Sequence, residues 1–171
     1  MTAASQTFVF VDIPEEPVPS LLRGFSAPVK LDFDYRPQQL LRLMRCDSDG
    51  FCRWDASQQL GLREIEAARL ALQKSENYDI DPAFVVACKE LLEDQNLDPA
   101  MVALMLQLPS EAYLAEIYQP VDVHALHAAR MAVRCVLASQ MEESFWNVYL
   151  RCESDEPYAC LLYTSPSPRD S

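Results

Sequence analysis

The hydrophobic period of this chain changes once, at Pro37, and that change limits the folds it can adopt. Before it, apolar residues run together or alternate, as they do along strands; after it they recur every three or four residues, as they do on helix faces. Thr7-Phe-Val-Phe-Val-Asp12 is a short β-branched and aromatic run of the kind buried on both faces. Pro14-Glu-Glu-Pro-Val-Pro19 cannot continue it, because each proline removes a ladder donor. Val29 to Tyr35 then alternates: Val29, Leu31, Phe33 and Tyr35 share one side, with Lys30, Asp32 and Asp34 opposite, as in a half-buried strand of an antiparallel sheet. Two strands do not make a stable sheet in water. The remaining strands must therefore lie outside this chain or come from another molecule.

From Pro37 the pattern predicts helices. Pro37 opens a helix to about Arg45 from a favoured first position, Asp47-Ser-Asp-Gly50 breaks it, and Phe51 to Lys74 forms a second. Asp81-Pro-Ala and Asp98-Pro-Ala each place an N-cap acid before a first-turn proline, where φ is already set and no N–H is lost; Ser110-Glu111 and Asp122 read as two further caps. After Asp81, residues Phe84, Cys88, Leu91 and Leu92 share one face. A last helix is expected from about Val123 to Arg151. Short helices with tight, capped turns suggest an α-hairpin array that needs neighbours to bury its open end. The expected fold class is mainly α: a short antiparallel β segment at residues 1–36, then a helical array at 37–160. Leu161 to Ser171 has two prolines and no helical period, and its wording is similar to a sequencing adaptor read through in frame; 161–171 reads as a non-native tail.

Three glycines, Gly24, Gly50 and Gly61, are too few and too far apart for a glycine-rich phosphate loop. A formal charge of −12, from 14 basic and 26 acidic residues, argues against nucleic acid or an anionic membrane surface as partner. Between Ser75 and His127 stand ten acids and one base, Lys89. That is ordinarily a solvated face; the sharper reading is a negative field that draws in cationic ligands. Six cysteines at 46, 52, 88, 135, 152 and 160 include no C-x-x-C, and Cys88 and Cys135 fall at apolar positions of helical patterns. With no signal peptide and no apolar run of about 18 residues, a reducing cytoplasmic setting is expected.

His124 and His127 lie one helical turn apart and could form half a metal site, but no third ligand is indicated, and the ordinary reading is surface or capping histidines. Neither is followed by Glu, so H-E-x-x-H is absent, as is G-x-S-x-G. An EF-hand with Gly50 at its sixth place would begin at Arg45, and one begun at Asp47 would end at Gln58, so Asp47 to Gly50 reads as a turn. Cys46 and Cys52 flank it, but two thiols alone are no site. No catalytic, cofactor-binding or metal-ligating residue is nominated in this chain.

Four strings point elsewhere. Thr7-Phe-Val-Phe10, Pro17-Val-Pro-Ser-Leu-Leu22, Phe25-Ser-Ala-Pro-Val-Lys30 and Asp49-Gly-Phe-Cys-Arg-Trp-Asp-Ala-Ser-Gln58, in this order and spacing, resemble the alanyl aminopeptidase (aminopeptidase N) group of the M1 zinc metallopeptidases. The resemblance covers nearly all of residues 1–160 and is strongest at 6–60. It implies a piece of a larger enzyme: the last strands of a small immunoglobulin-like β domain, and the opening helices of a helical domain that closes over the active site. The family's zinc ligands, general base and G-A-M-E-N segment have no matching positions here, so zinc and peptide substrates belong to the parent. The expected partner is the rest of that chain. On this reading part of the 75–127 acidity, including Glu90, Glu93 and Asp94, faces the substrate chamber. A free-standing helical interaction module with a short β arm is the competing reading. In either case the open ends expose apolar surface, and the isolated chain is expected to be poorly soluble, partly unfolded or oligomeric.

Overall fold

The computed structural model describes residues 5–29 and 31–153. Among these residues seven helices follow a 3-10 turn at Arg23–Phe25: α1 (Pro37–Cys46), α2 (Gly50–Gln73), α3 (Pro82–Glu93), α4 (Pro99–Met105), α5 (Glu111–Ile117), α6 (Val123–Gln140) and α7 (Glu142–Cys152). The four expected caps all form. Asp81 accepts from the Ala83 N–H at 2.8 Å, Asp98 from Ala100 at 3.0 Å, Ser110 from Tyr113 at 3.2 Å and Asp122 from Ala125 at 3.0 Å. Each satisfies a donor that the helix start leaves open.

At 24 residues, α2 is about 36 Å long and forms the spine of the array. It packs against α1, α4 and α6; α3 rests on α1 and α7, and α5 on α6. Leu40, Met44, Ile65, Leu114, Val133 and Met141 are wholly buried between them. Gly61, in the middle of α2, sits where a Cβ would come within 3.0 Å of the Pro109 ring, so its missing side chain lets the 108–109 loop approach. Phe84, Cys88 and Leu91 of α3 point into the core as their spacing predicts, with Leu92 at its edge.

Two expectations are corrected, and the expected strands are unpaired among the described residues. Among the described residues no β-ladder forms at 7–12 or 29–35. Phe8, Val9, Phe10 and Val11 are 68–80% exposed, and of the alternating set only Tyr35 is buried. The extended backbone has no neighbouring strand to bond to among the described residues. The single last helix is in fact two, because Met141 leaves the helical region (φ −110°, ψ 8°) and drops into the core. No proline or glycine marks that break; burial of Met141 imposes it, and beyond it Ser144 reaches Glu93 at 2.7 Å. Cys135 is exposed, since the face of α6 that carries it is uncovered. Residues 161–171 lie outside the described residues.

Candidate functional site

The densest polar construction in the fold fastens the N-terminal arm to the elbow between α1 and α2. Asp47-Ser-Asp49 is the expected break, and its side chains explain its shape. Asp47 Oδ1 accepts from the Asp49 N–H at 2.8 Å, closing the turn on itself. Asp49 then caps α2, accepting from the Cys52 N–H at 2.9 Å. Arg53, one turn into α2, donates back to the Met44 and Arg45 carbonyls at 3.0 and 3.2 Å, satisfying the end of α1.

Onto this elbow comes the 3-10 turn. Leu22, Gly24 and Phe25 all have positive φ, at 56°, 62° and 50°, so the backbone reverses sharply and presents Arg23 and the Gly24 N–H to the acids. The Arg23 guanidinium donates to Asp47 Oδ1 at 2.8 Å and to Ser48 Oγ at 2.7 Å. Gly24 N–H donates to Asp49 Oδ2 at 2.8 Å. The left-handed conformation costs on the order of 1 kcal/mol at each of the two non-glycine positions, and these charge-assisted bonds offset it. Further contacts complete the seam. The Tyr35 hydroxyl donates to the Pro19 carbonyl at 2.9 Å, the Cys52 thiol to the Leu21 carbonyl at 3.2 Å, and Phe25 meets Phe51 edge-on at 5.1 Å.

The electrostatics suit fastening. Partial burial alone would push the Asp47 carboxyl up, but the Ser20 hydroxyl, the Asp49 N–H and Arg23 outweigh it and hold the carboxyl below the usual range. Asp49 is held low chiefly by the Cys52 N–H. Burial, more than any neighbour, pushes the Cys52 thiol up. At neutral pH the acids are therefore charged and the thiol protonated, which suits adhesion and gives no activated nucleophile. Arg23, the centre of the latch, was not singled out in the sequence. It lies between the Pro17–Leu22 and Phe25–Lys30 strings, and that position was the one available signal.

The other candidates fall apart from this seam. His127 Nδ1 lies 2.8 Å from Glu111 Oε1, both largely exposed, and His124 takes no part. Among the described residues no group of three or more His, Cys, Asp or Glu is placed to hold a metal ion. Cys88 borders a cavity of about 480 Å³ between α2, α3 and α6, and burial with a contribution from Glu64 pushes its thiol up to about 12, which makes it inert. The acidic stretch also changes character. Asp81, Asp98 and Asp122 are caps, Glu90 pairs with Arg45 at 2.7 Å, and Glu93 accepts from Ser144. Asp94 closes its own turn by accepting from the Asn96 N–H at 2.9 Å, and Glu111 meets His127. Seven of the ten acids thus have structural partners.

Residues 37–164, well over half of the chain, match the family described as "Domain of unknown function (DUF3458_C) ARM repeats". The chain belongs to that family. Residues 1–34 match its companion, "Domain of unknown function (DUF3458) Ig-like fold". The chain is 36% identical over 149 residues to aminopeptidase N of Haemophilus influenzae and, at the same identity and length, to that of Escherichia coli. Each match takes in 87% of this chain and 17% of the relative. Aminopeptidase N of Caulobacter vibrioides is 42% identical over 135 residues, covering 79% of this chain and 15% of that protein. The crystal structure of Legionella pneumophila aminopeptidase A in complex with aspartic acid superposes with a TM-score of 0.71 at 32% identity, over 88% of this chain and 18% of that one. This DUF3458_C chain therefore spans less than a fifth of the relatives it matches, and the resemblance to aminopeptidase N holds along most of its length.

Proposed function

We propose that this chain is a non-catalytic part of a zinc-dependent M1 aminopeptidase that removes N-terminal residues from peptides, and that it forms the junction between an Ig-like β domain and a helical domain enclosing the active-site chamber. The observation that carries the reading is the Arg23–Asp47–Ser48 latch with its Gly24–Asp49 companion, which fixes an arm bearing Ig-like sequence to the first elbow of the ARM array. A junction of this kind holds two domains at one angle, as a lid over a chamber requires. The boundaries that go with it are 1–36, 37–160 and a non-native 161–171. Start of α1 at Pro37 supports the first of these.

On this reading the metal and its chemistry belong to the catalytic domain of the parent. Negative potential toward a cationic peptide amine remains part of the reading, but Glu90, Glu93 and Asp94 are poor candidates for it because each has a structural partner. Glu76, Asp79 and Glu116 are exposed and have no such partner among the described residues, which leaves them available for it. The free state of the five described cysteines supports a reducing, cytoplasmic setting for the parent.

Sequencing the genomic locus tests the assignment. An open frame continuing upstream of Met1 and containing H-E-x-x-H with a downstream Glu is expected, and an intact frame across codon 160 would show the tail to be natural. The complete product is expected to hydrolyse aminoacyl amides, and the 171-residue chain to have no such activity. A stop codon and ribosome-binding site immediately upstream would select the free-standing interaction module instead.

A further inference from the structure

We propose that the cavity between α2, α3 and α6 binds a medium-chain aliphatic monocarboxylate, with its carboxylate at Arg130 and Arg134 and its tail in the apolar interior. The proposal does not depend on reading this chain as part of an aminopeptidase. At about 480 Å³ the cavity has the size of a small-molecule site. Phe84, Met105 and Met141 form buried walls, and Leu137 packs against the same core. Ser57, the buried hydroxyl in the lining, already donates to the Trp54 carbonyl at 2.6 Å. That interior therefore suits methylene groups and offers little to a sugar or a nucleobase.

The charge of the lining is opposite to that of the chain. Against 26 acidic and 14 basic residues overall, the cavity is bordered by two arginines and by no Asp or Glu. Arg130 and Arg134 lie one turn apart on α6, so their guanidinium groups share a face and repel each other. Arg130 is braced, because its Nε donates to the Pro109 carbonyl at 2.8 Å. Arg134 stands exposed at the rim. Neither pairs with a carboxylate among the described residues. An anion between them would relieve the repulsion and gain charge-assisted bonds, and a carboxylate has the shape that guanidinium forks accept. A free amino acid or a peptide N-terminus fits poorly, because its ammonium would find no acid in the lining. An inorganic anion would leave the apolar walls uncovered. One carboxylate on an aliphatic tail meets both demands.

Isothermal titration calorimetry at neutral pH on the full product of the locus tests the site, with sodium decanoate as the probe. Decanoate is expected to bind with a Kd on the order of 0.1–1 mM. Arg134→Gln should weaken it at least about tenfold, while Arg134→Lys, which keeps the charge, should lose less than that. Because Arg134 is exposed, both variants are expected to melt within about 1 °C of the unsubstituted protein, so that lost binding is not lost folding. Propionate has the same carboxylate and almost no tail; decyltrimethylammonium has the same tail and the opposite charge. Each should bind at least about tenfold more weakly than decanoate. Absence of decanoate binding overturns the proposal. So does binding as tight by either comparison ion or by Arg134→Gln, because the cavity then does not read a carboxylate and a tail together. Binding by the 171-residue chain but not by a longer product of the locus also overturns it, because the protein's own further residues then fill the cavity.

Discussion

Arg23 joins two partners, Asp47 and Ser48, across 24 and 25 residues of sequence, and its removal leaves the nearly buried Asp47 carboxylate (3% side-chain exposure) without a counter-ion. Because the guanidinium itself is half-exposed, Arg23→Ala is expected to cost about 1–2 kcal/mol, read by thermal denaturation, and to speed proteolysis within residues 26–36. Arg23→Lys should recover only part, since one ammonium cannot reproduce the fork that spans Asp47 and Ser48. The pH dependence has a definite sign. Asp47 has a folded-state pKa below its unfolded one, so its stabilisation is present above the unfolded value and is lost as pH falls through the folded one. The latch should therefore hold throughout pH 5–8 and loosen only below about pH 4. Asp55 behaves oppositely. Burial raises its pKa, with the Gln59 bond at 2.8 Å partly opposing, so its ionised form destabilises the fold and the penalty is relieved as pH falls. Asp55→Asn keeps the contact with Gln59 and should raise the melting temperature at pH 7, with a gain that shrinks as pH falls toward about 4.

At the scale of elements, helix starts were legible because their signals are local. Asp81 and Asp98 cap within two residues and sit next to prolines whose φ is already helical, so no distant contact is needed to read them. Asp81→Ala and Asp98→Ala should each cost about 1 kcal/mol, and because they serve different helices the double variant should sum the two losses; urea denaturation checks both statements. The break at Met141 was not legible. Its neighbours Gln140 and Glu142 are good helix formers, and what stops the helix is a methionine side chain entering the core and a serine reaching a glutamate 51 residues away. The strands are left unpaired for the complementary reason. Residues 7–12 carry the right composition, but strand pairing depends on backbone partners that the described residues do not contain.

For the whole molecule, the exposed arm and the uncovered face of α7 make self-association the expected behaviour of the isolated chain. Beginning the chain at residue 14 should leave the melting temperature of the helical array unchanged, because Phe8 to Val11 are largely exposed, and should reduce light scattering on heating. A fall of several degrees would mean that the arm stabilises the array after all. What the sequence by itself determined was the change of period at Pro37, the sites of the helix caps and the membership signalled by the strings at 6–60, because periodicity, capping and local wording are short-range properties. Tertiary structure alone decided that Arg23 is the latch, that Met141 divides the last helix, and that Glu90, Glu93 and Glu111 are taken up by Arg45, Ser144 and His127. Those outcomes depend on which residues meet across the fold, and charge counts and spacing carry no record of such meetings.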